Sequence, residues 1–144
     1  MAPRVTLSPD ALAFLAERHL ATLTTLRPDG SPHVVAVGFT WDDDARVVRI
    51  ITRGASQKVR NAERQQVSTT AARRRAAVSQ VDGRRWLTLE GEVRVATEPP
   101  EVAEAVRRYA ERYRQPAVRP DRVALVIAVD RVLGHTCRES HRSR

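Results

Sequence analysis

A single lysine stands in this sequence against 24 arginines, and it closes a corner, Gly54-Ala55-Ser56-Gln57-Lys58, between an apolar run and a helix-like run. Whatever bias favours arginine has spared Lys58 alone, which suits a position needing a compact point charge rather than a planar fork. Gly54 permits a sharp turn, Ser56 is a favourable helix N-cap, and Val59 to Arg64 can continue as helix. Backbone N–H groups and an ammonium therefore converge at one corner, and the chemistry they offer is anion binding, most simply of a phosphate. His33 is the one histidine placed in a strand beside that corner, and it reads as a binding residue rather than an acid or base. His19, His33, His135 and His141 do not have metal-ligand spacing, and Asp42-Asp43-Asp44 lacks the spacing of a calcium loop, so no metal site is expected. No side chain stands out as a general acid, and the catalytic residues are left unassigned.

The elements that must position this corner follow from periodicity. Ser8-Pro9-Asp10 starts a short amphipathic helix with Leu12, Leu15 and His19 on one face and Phe14 flanking, expected to lie over a barrel end. Leu20 to Leu26 is a strand that turns at Arg27-Pro28-Asp29-Gly30, and His33 to Trp41 reads as one strand, apolar on both faces. Asp42 to Asp44 turn the chain into Val47 to Thr52, its antiparallel partner. Gln65 to Arg75 has no clean period and reads as a helix extension fraying into an exposed loop. Ala77 to Val81 is a strand, Asp82-Gly83 a tight turn, and from Trp86 the alternation is clear, with Leu87, Leu89, Gly91, Val93 and Val95 on one side. Pro99-Pro100-Glu101 opens a second helix with Val102, Val106, Tyr109 and Tyr113 on one face, and Val123 to Val129 is the last strand. Six strands, helices only at connections and no βαβ alternation predict a small antiparallel barrel, mainly β with flanking helices.

A chain of 144 residues with 42% hydrophobic content is one globular domain, residues 1–144. No apolar run approaches the length that spans a bilayer, and Met1 to Thr6 is too short and polar for a signal peptide, so a cytoplasmic protein without a membrane partner is expected. The lone Cys137 excludes an internal disulfide and any Cys-based zinc cluster. A net charge of +8 invites a nucleic-acid partner, but the arginines are spread along the chain and aromatic content is 4%, which argues against one. A solvated, arginine-rich surface of a high-GC genome accounts for the charge.

Three runs carry a specific resemblance: LATLTTLRPDGSPHVVAV at 20–37, RIITRGASQKVRNAER at 49–64 and VSQVDGRRWLTLEGEV at 78–93. Together they resemble the FMN-binding split β-barrel flavin and deazaflavin oxidoreductases related to pyridoxamine 5′-phosphate oxidase, over nearly the whole chain. Within that superfamily the chain is most similar to the coenzyme F420-dependent, biliverdin-reductase-like branch. The resemblance implies a six-stranded split barrel, a homodimer with two sites at its interface, and hydride transfer from reduced F420 to a conjugated small-molecule acceptor such as biliverdin. It implies that His33, Val34, Val35, Ala36 and Val37 lie against the deazaflavin ring and that Ile51 and Thr52 end a strand near it. Ser56, Gln57 and Lys58 would grip the phosphate and tail, and Asp82, Gly83 and Arg84 would close the pocket from the other subunit. An FMN-dependent enzyme on the same fold, or a non-catalytic flavin- or haem-binding protein, are the alternatives. One departure stands out, because QQVSTTAARRR at 65–75 lengthens a connection that the family usually makes directly from helix to strand.

Overall fold

The computed structural model describes residues 5–64 and 74–137. In chain order the elements are α1 (Pro9–Ala16), β1 (Ala21–Leu26), β2 (Pro32–Val37), β3 (Thr40–Asp42), β4 (Val47–Arg53), α2 (Gln57–Arg64), β5 (Arg75–Asp82), β6 (Arg85–Ala96), α3 (Pro99–Arg112) and β7 (Arg122–His135). All strand pairings are antiparallel, in one sheet of order β2-β1-β5-β6-β7-β4-β3. The mainly β architecture with flanking helices is as expected, but the six-stranded barrel is corrected to seven strands whose two edges, β2 and β3, do not pair with each other. None of the helices among the described residues is long and apolar enough to cross a membrane.

The seventh strand arises because the predicted run His33–Trp41 breaks at Gly38. There the rings of Tyr109 and Tyr113 press so closely that a Cβ on Gly38 would lie 2.9 Å from Tyr109 Cε2. The next peptide leaves the ladder and is taken up by side chains instead. Phe39 N–H donates to Tyr113 Oη at 3.1 Å, and Phe39 C=O accepts from Arg112 Nη1 at 2.6 Å. Since a buried peptide group needs a partner, these two bonds from α3 substitute for the lost ladder. They let β2 and β3 sit on opposite edges of the sheet.

Strands β1, β4, β5, β6 and β7 bury Leu23, Val48, Ile50, Val78, Leu89 and Ile127 on one face, and Phe14 of α1 and Phe39 complete this core. The expected face of α1 is shifted, with Ala11, Phe14 and Leu15 inward. Buried Gln80 donates to the Phe14 carbonyl at 3.0 Å and accepts from Arg112 at 2.6 Å, tying α1 and α3 to β5. On the other side α3 rests on Ala96, Ala124 and Val126 through its own Ala105, small residues that let helix and sheet approach closely. Ala105, rather than the expected Val102 and Val106 face, is the buried residue of that helix.

Strand β6 keeps the predicted alternation from Leu87 to Val93. A bulge then shifts its register with β7, so that Glu90 faces Arg131 while Gly91 faces Val129. Any side chain at Gly91 would run into the Ala128 carbonyl, which is why glycine stands there. Asp130, the extra residue, turns out to pair with Arg75, and β7 continues to His135, well past the predicted end at Val129. The expected loop at 65–75 falls mostly outside the described residues; Arg75 itself begins β5.

Candidate functional site

The lysine corner forms as its residue types require. Strand β4 ends at Arg53, the Gly54 N–H donates to the Asp121 carbonyl at 2.9 Å, and Ser56 N–H donates to the Arg53 carbonyl at 3.1 Å. Ser56 C=O accepts the first helical bond from Arg60 at 3.2 Å, and its hydroxyl accepts from Thr52 Oγ1 at 3.3 Å. Helix α2 is held against the sheet by Val59 and Ala62, both buried, and by a polar chain beneath them. In that chain Gln57 Nε2 donates to Asn61 Oδ1 at 2.7 Å, and Asn61 Nδ2 donates to Thr25 Oγ1 of β1 at 3.0 Å. This partly buried hydrogen-bonded chain ties the helix to β1, and with it positions Lys58.

Lys58 faces a cleft of about 320 Å³ lined by Ala36, Val37 and Gly38 at the end of β2, Ile51, Thr52 and Arg53 at the end of β4, Tyr109 of α3, and Pro116, Arg119 and Arg122. The corner's bond to Asp121, the β4–β7 pairing of Arg53 with Arg122, and the Arg122 N–H to Arg119 C=O bond carry the last two arginines there. Of the thirteen expected site residues, the cleft thus collects Ala36, Val37, Ile51, Thr52 and Lys58. Ser56 and Gln57 build the corner behind it, their side chains committed to Thr52 and Asn61. His33 and Val35 lie further along β2, half-buried, and Val34 points outward, 55% exposed. Asp82, Gly83 and Arg84 form the exposed β5–β6 hairpin tip and do not line the cleft within one chain.

The charge distribution marks this cleft. Many arginines elsewhere are matched: Arg49 and Arg108 with Asp42, Arg75 with Asp130, Arg85 with Glu17 and Asp82, Arg94 with Glu101, Arg107 with Glu104 and Glu111. Among the described residues, no carboxylate pairs with Arg53, Lys58, Arg119 or Arg122. Burial, and secondarily the like charge of Arg53, pushes the Lys58 ammonium below its ordinary pKa. His33 is pushed down by burial first and then by Arg27 and Lys58, and its Nδ1 is buried without a hydrogen-bond partner. Four unmatched cations around a partly apolar hollow are an arrangement that stabilises a bound polyanion and is itself relieved by binding one.

A second hollow of about 320 Å³, between α1, β3 and α3, has no such surplus. Its Arg108 is paired with Asp42 and Glu104, and Arg112 is spent on the Glu17 and Phe39 carbonyls. His19 approaches Glu17 and Asp82 at 3.9 and 3.6 Å, but Arg85 already holds both carboxylates. Sequence reasoning missed Gly38, Arg53, Tyr109, Arg119 and Arg122. The arginines were hidden by abundance, and Tyr109 looked like one more apolar residue on a helix face. A proline-bracketed loop, 116–120, immediately before a strand was the available signal.

The family model for pyridoxamine 5′-phosphate oxidase matches residues 7–136. An F420H2-dependent biliverdin reductase of Mycobacterium tuberculosis (strain CDC 1551 / Oshkosh) is 54% identical over 128 residues, covering 89% of this chain and 88% of its own length. Among solved structures, an F420 reductase is 28% identical with a TM-score of 0.65, covering 90% of this chain and 98% of its own. A conserved hypothetical protein of Mycobacterium tuberculosis, 22% identical with a TM-score of 0.71 and covering 96% of each chain, shares the fold.

Proposed function

Because this chain belongs to the pyridoxamine 5′-phosphate oxidase family, we propose that it is an oxidoreductase that uses reduced coenzyme F420 to reduce biliverdin or a similar conjugated tetrapyrrole. The observation that carries this reading is the set of four unpaired cations, Arg53, Lys58, Arg119 and Arg122, around one cleft. F420 is a deazaflavin with a phosphate and an acidic tail, and a surplus of cations beside an apolar wall suits both parts of it. Lys58 would meet the phosphate, the three arginines the acidic tail, and the Ala36–Gly38 and Ile51–Thr52 strand ends the ring. Bound there, the deazaflavin supplies the hydride. The chain itself positions and shields. Gly38 admits the close approach that a Cβ would block, the polar chain through Gln57, Asn61 and Thr25 holds the lysine still, and His33, Val34 and Val35 act through strand shape.

A second copy of the chain completes the site in this reading. The outer face of the sheet carries Val81, Trp86 and Leu133 at 63%, 40% and 46% exposure, together with Val34, and their registers place them in adjacent rows on one side. Thr22, Ala36, Ser79 and Thr88 lie between them in the same rows. Exposed large apolar side chains gathered on one sheet face of a small domain favour self-association, even with polar residues among them. Ala36 belongs both to that face and to the cleft, so a copy seated on the face borders the cleft and can bring Asp82, Gly83 and Arg84 to it. The test is titration of the purified protein with F420 and with FMN, then F420H2 oxidation with biliverdin as acceptor. Tight F420 binding and bilin-dependent oxidation are expected; binding of FMN in preference to F420 would overturn the assignment.

A further inference from the structure

Tyr109 borders two hollows. One is the cleft of Lys58, and the other is a separate hollow of about 340 Å³ formed with Arg18, His19, Leu20, Tyr113 and Arg114. The shared wall is held by several contacts. Tyr109 and Tyr113 stack with centroids 4.9 Å apart, both rings press on Gly38, and Tyr113 Oη donates to the His19 carbonyl at 2.7 Å while accepting from Phe39 N–H at 3.1 Å. Leu20, a large aliphatic side chain, stands 66% exposed at the rim. Arg18 and Arg114 are exposed and, among the described residues, make no ion pair, unlike Arg107 and Arg108 of α3. An apolar rim, an aromatic edge and two unmatched guanidinium groups thus meet at the border of the redox cleft.

We infer that this second hollow anchors a carboxylate of the acceptor. Resting on the reductase reading above, the acceptor's conjugated body lies across Leu20 and the edge of Tyr109, and one of its propionate-type carboxylates is held by Arg18 and Arg114. Guanidinium forks match a carboxylate in geometry as well as charge, and an extended π-system gains from an aromatic edge. The arrangement selects acceptors that are both planar and acidic, and it leaves the cations across Tyr109 to the cofactor.

The experiment compares biliverdin with its dimethyl ester, in which the carboxylates are masked. Binding to the wild-type protein, to Arg18→Gln, to Arg114→Gln and to the double variant is followed by the bilin's visible circular dichroism, and F420 affinity is measured alongside. Esterification is expected to weaken binding to wild type about tenfold, the worth of one charge-assisted contact at an exposed site. In the double variant that penalty shrinks to about twofold or less, with F420 affinity unchanged. Both positions are exposed, so the fold tolerates the exchanges. An esterification penalty equal in wild type and double variant overturns the anchor while leaving the reductase reading intact. A wild-type protein that takes up no bilin overturns the reductase reading and the anchor with it.

Discussion

Replacing Lys58 with methionine should move stability and cofactor affinity in opposite directions. Without cofactor the ammonium is half-buried, pairs with no carboxylate among the described residues and faces Arg53, so it is a net cost to the fold. Removing the charge while keeping the aliphatic stem should stabilise the free protein by up to about 1 kcal/mol, after discounting for solvent screening, and raise its Tm by a few degrees. With cofactor the sign reverses, because a charge-assisted hydrogen bond to an anion is worth about 1.5 to 3 kcal/mol. F420 should then bind about ten- to a hundredfold more weakly. Lys58→Arg should not restore the affinity fully, since a planar fork cannot occupy the same point. A pH signature accompanies the charge. With the folded-state pKa held below the ordinary lysine value, the penalty is complete at neutral pH and fades as pH rises from the folded toward the unfolded value. Wild type should gain stability over that alkaline window and Lys58→Met should not. Calorimetry of F420 binding and melting curves with and without F420 read all three effects. A Lys58→Met protein that melts lower and binds F420 as well as wild type would show the lysine to be structural.

His33, pushed below the ordinary imidazole value by burial, costs stability when it must charge: the protein should lose stability as pH falls below about 6.5, levelling off once the folded-state histidine itself protonates. His33→Gln should flatten that decline in chemical denaturation across pH 5 to 7, and turnover should persist, because His33 serves through shape. If the proposed dimer forms through the outer sheet face, Trp86→Glu combined with Leu133→Glu puts charges into it and should give monomers with weakened F420 binding, followed by analytical ultracentrifugation; unchanged sedimentation would remove that face from the interface. Gly38→Ala should cost about 1 to 3 kcal/mol through its clash with Tyr109 and lower F420 affinity, and a second change, Tyr109→Leu, should recover part of the stability in denaturant titrations.

Local chemistry was legible in the sequence where one segment decides its own conformation. The Leu87–Val93 alternation, the turn at Gly83 and the corner from Gly54 to Lys58 all depend on neighbours a few residues away, and all three formed as expected. The break at Gly38 did not announce itself, because the groups that relieve Phe39 of its ladder bonds, Arg112 and Tyr113, lie more than seventy residues downstream. The length of β7 was hidden for a related reason: Asp130 reads as a strand terminator until Arg75 is seen to neutralise it. Arg53, Arg119 and Arg122 were indistinguishable by type from the other arginines. What marks them is that they converge with Lys58 on one cleft without a carboxylate partner among the described residues, a property of the fold and not of any one segment.

The placement of β2 and β3 on opposite edges of the sheet should also set an order of assembly. The β1–β2 and β5–β6 hairpins close over short loops, whereas β4 joins β7 with Arg53 opposite Arg122. Long loops close late in folding. One wall of the cleft belongs to β2 and the other to β4, so the walls meet only when that distant pairing is made. On the proposed reading of the cleft, cofactor has no complete site until that pairing is made. It should leave the refolding rate nearly unchanged and act by slowing unfolding, so that the lifetime of the folded protein rises with the supply of cofactor.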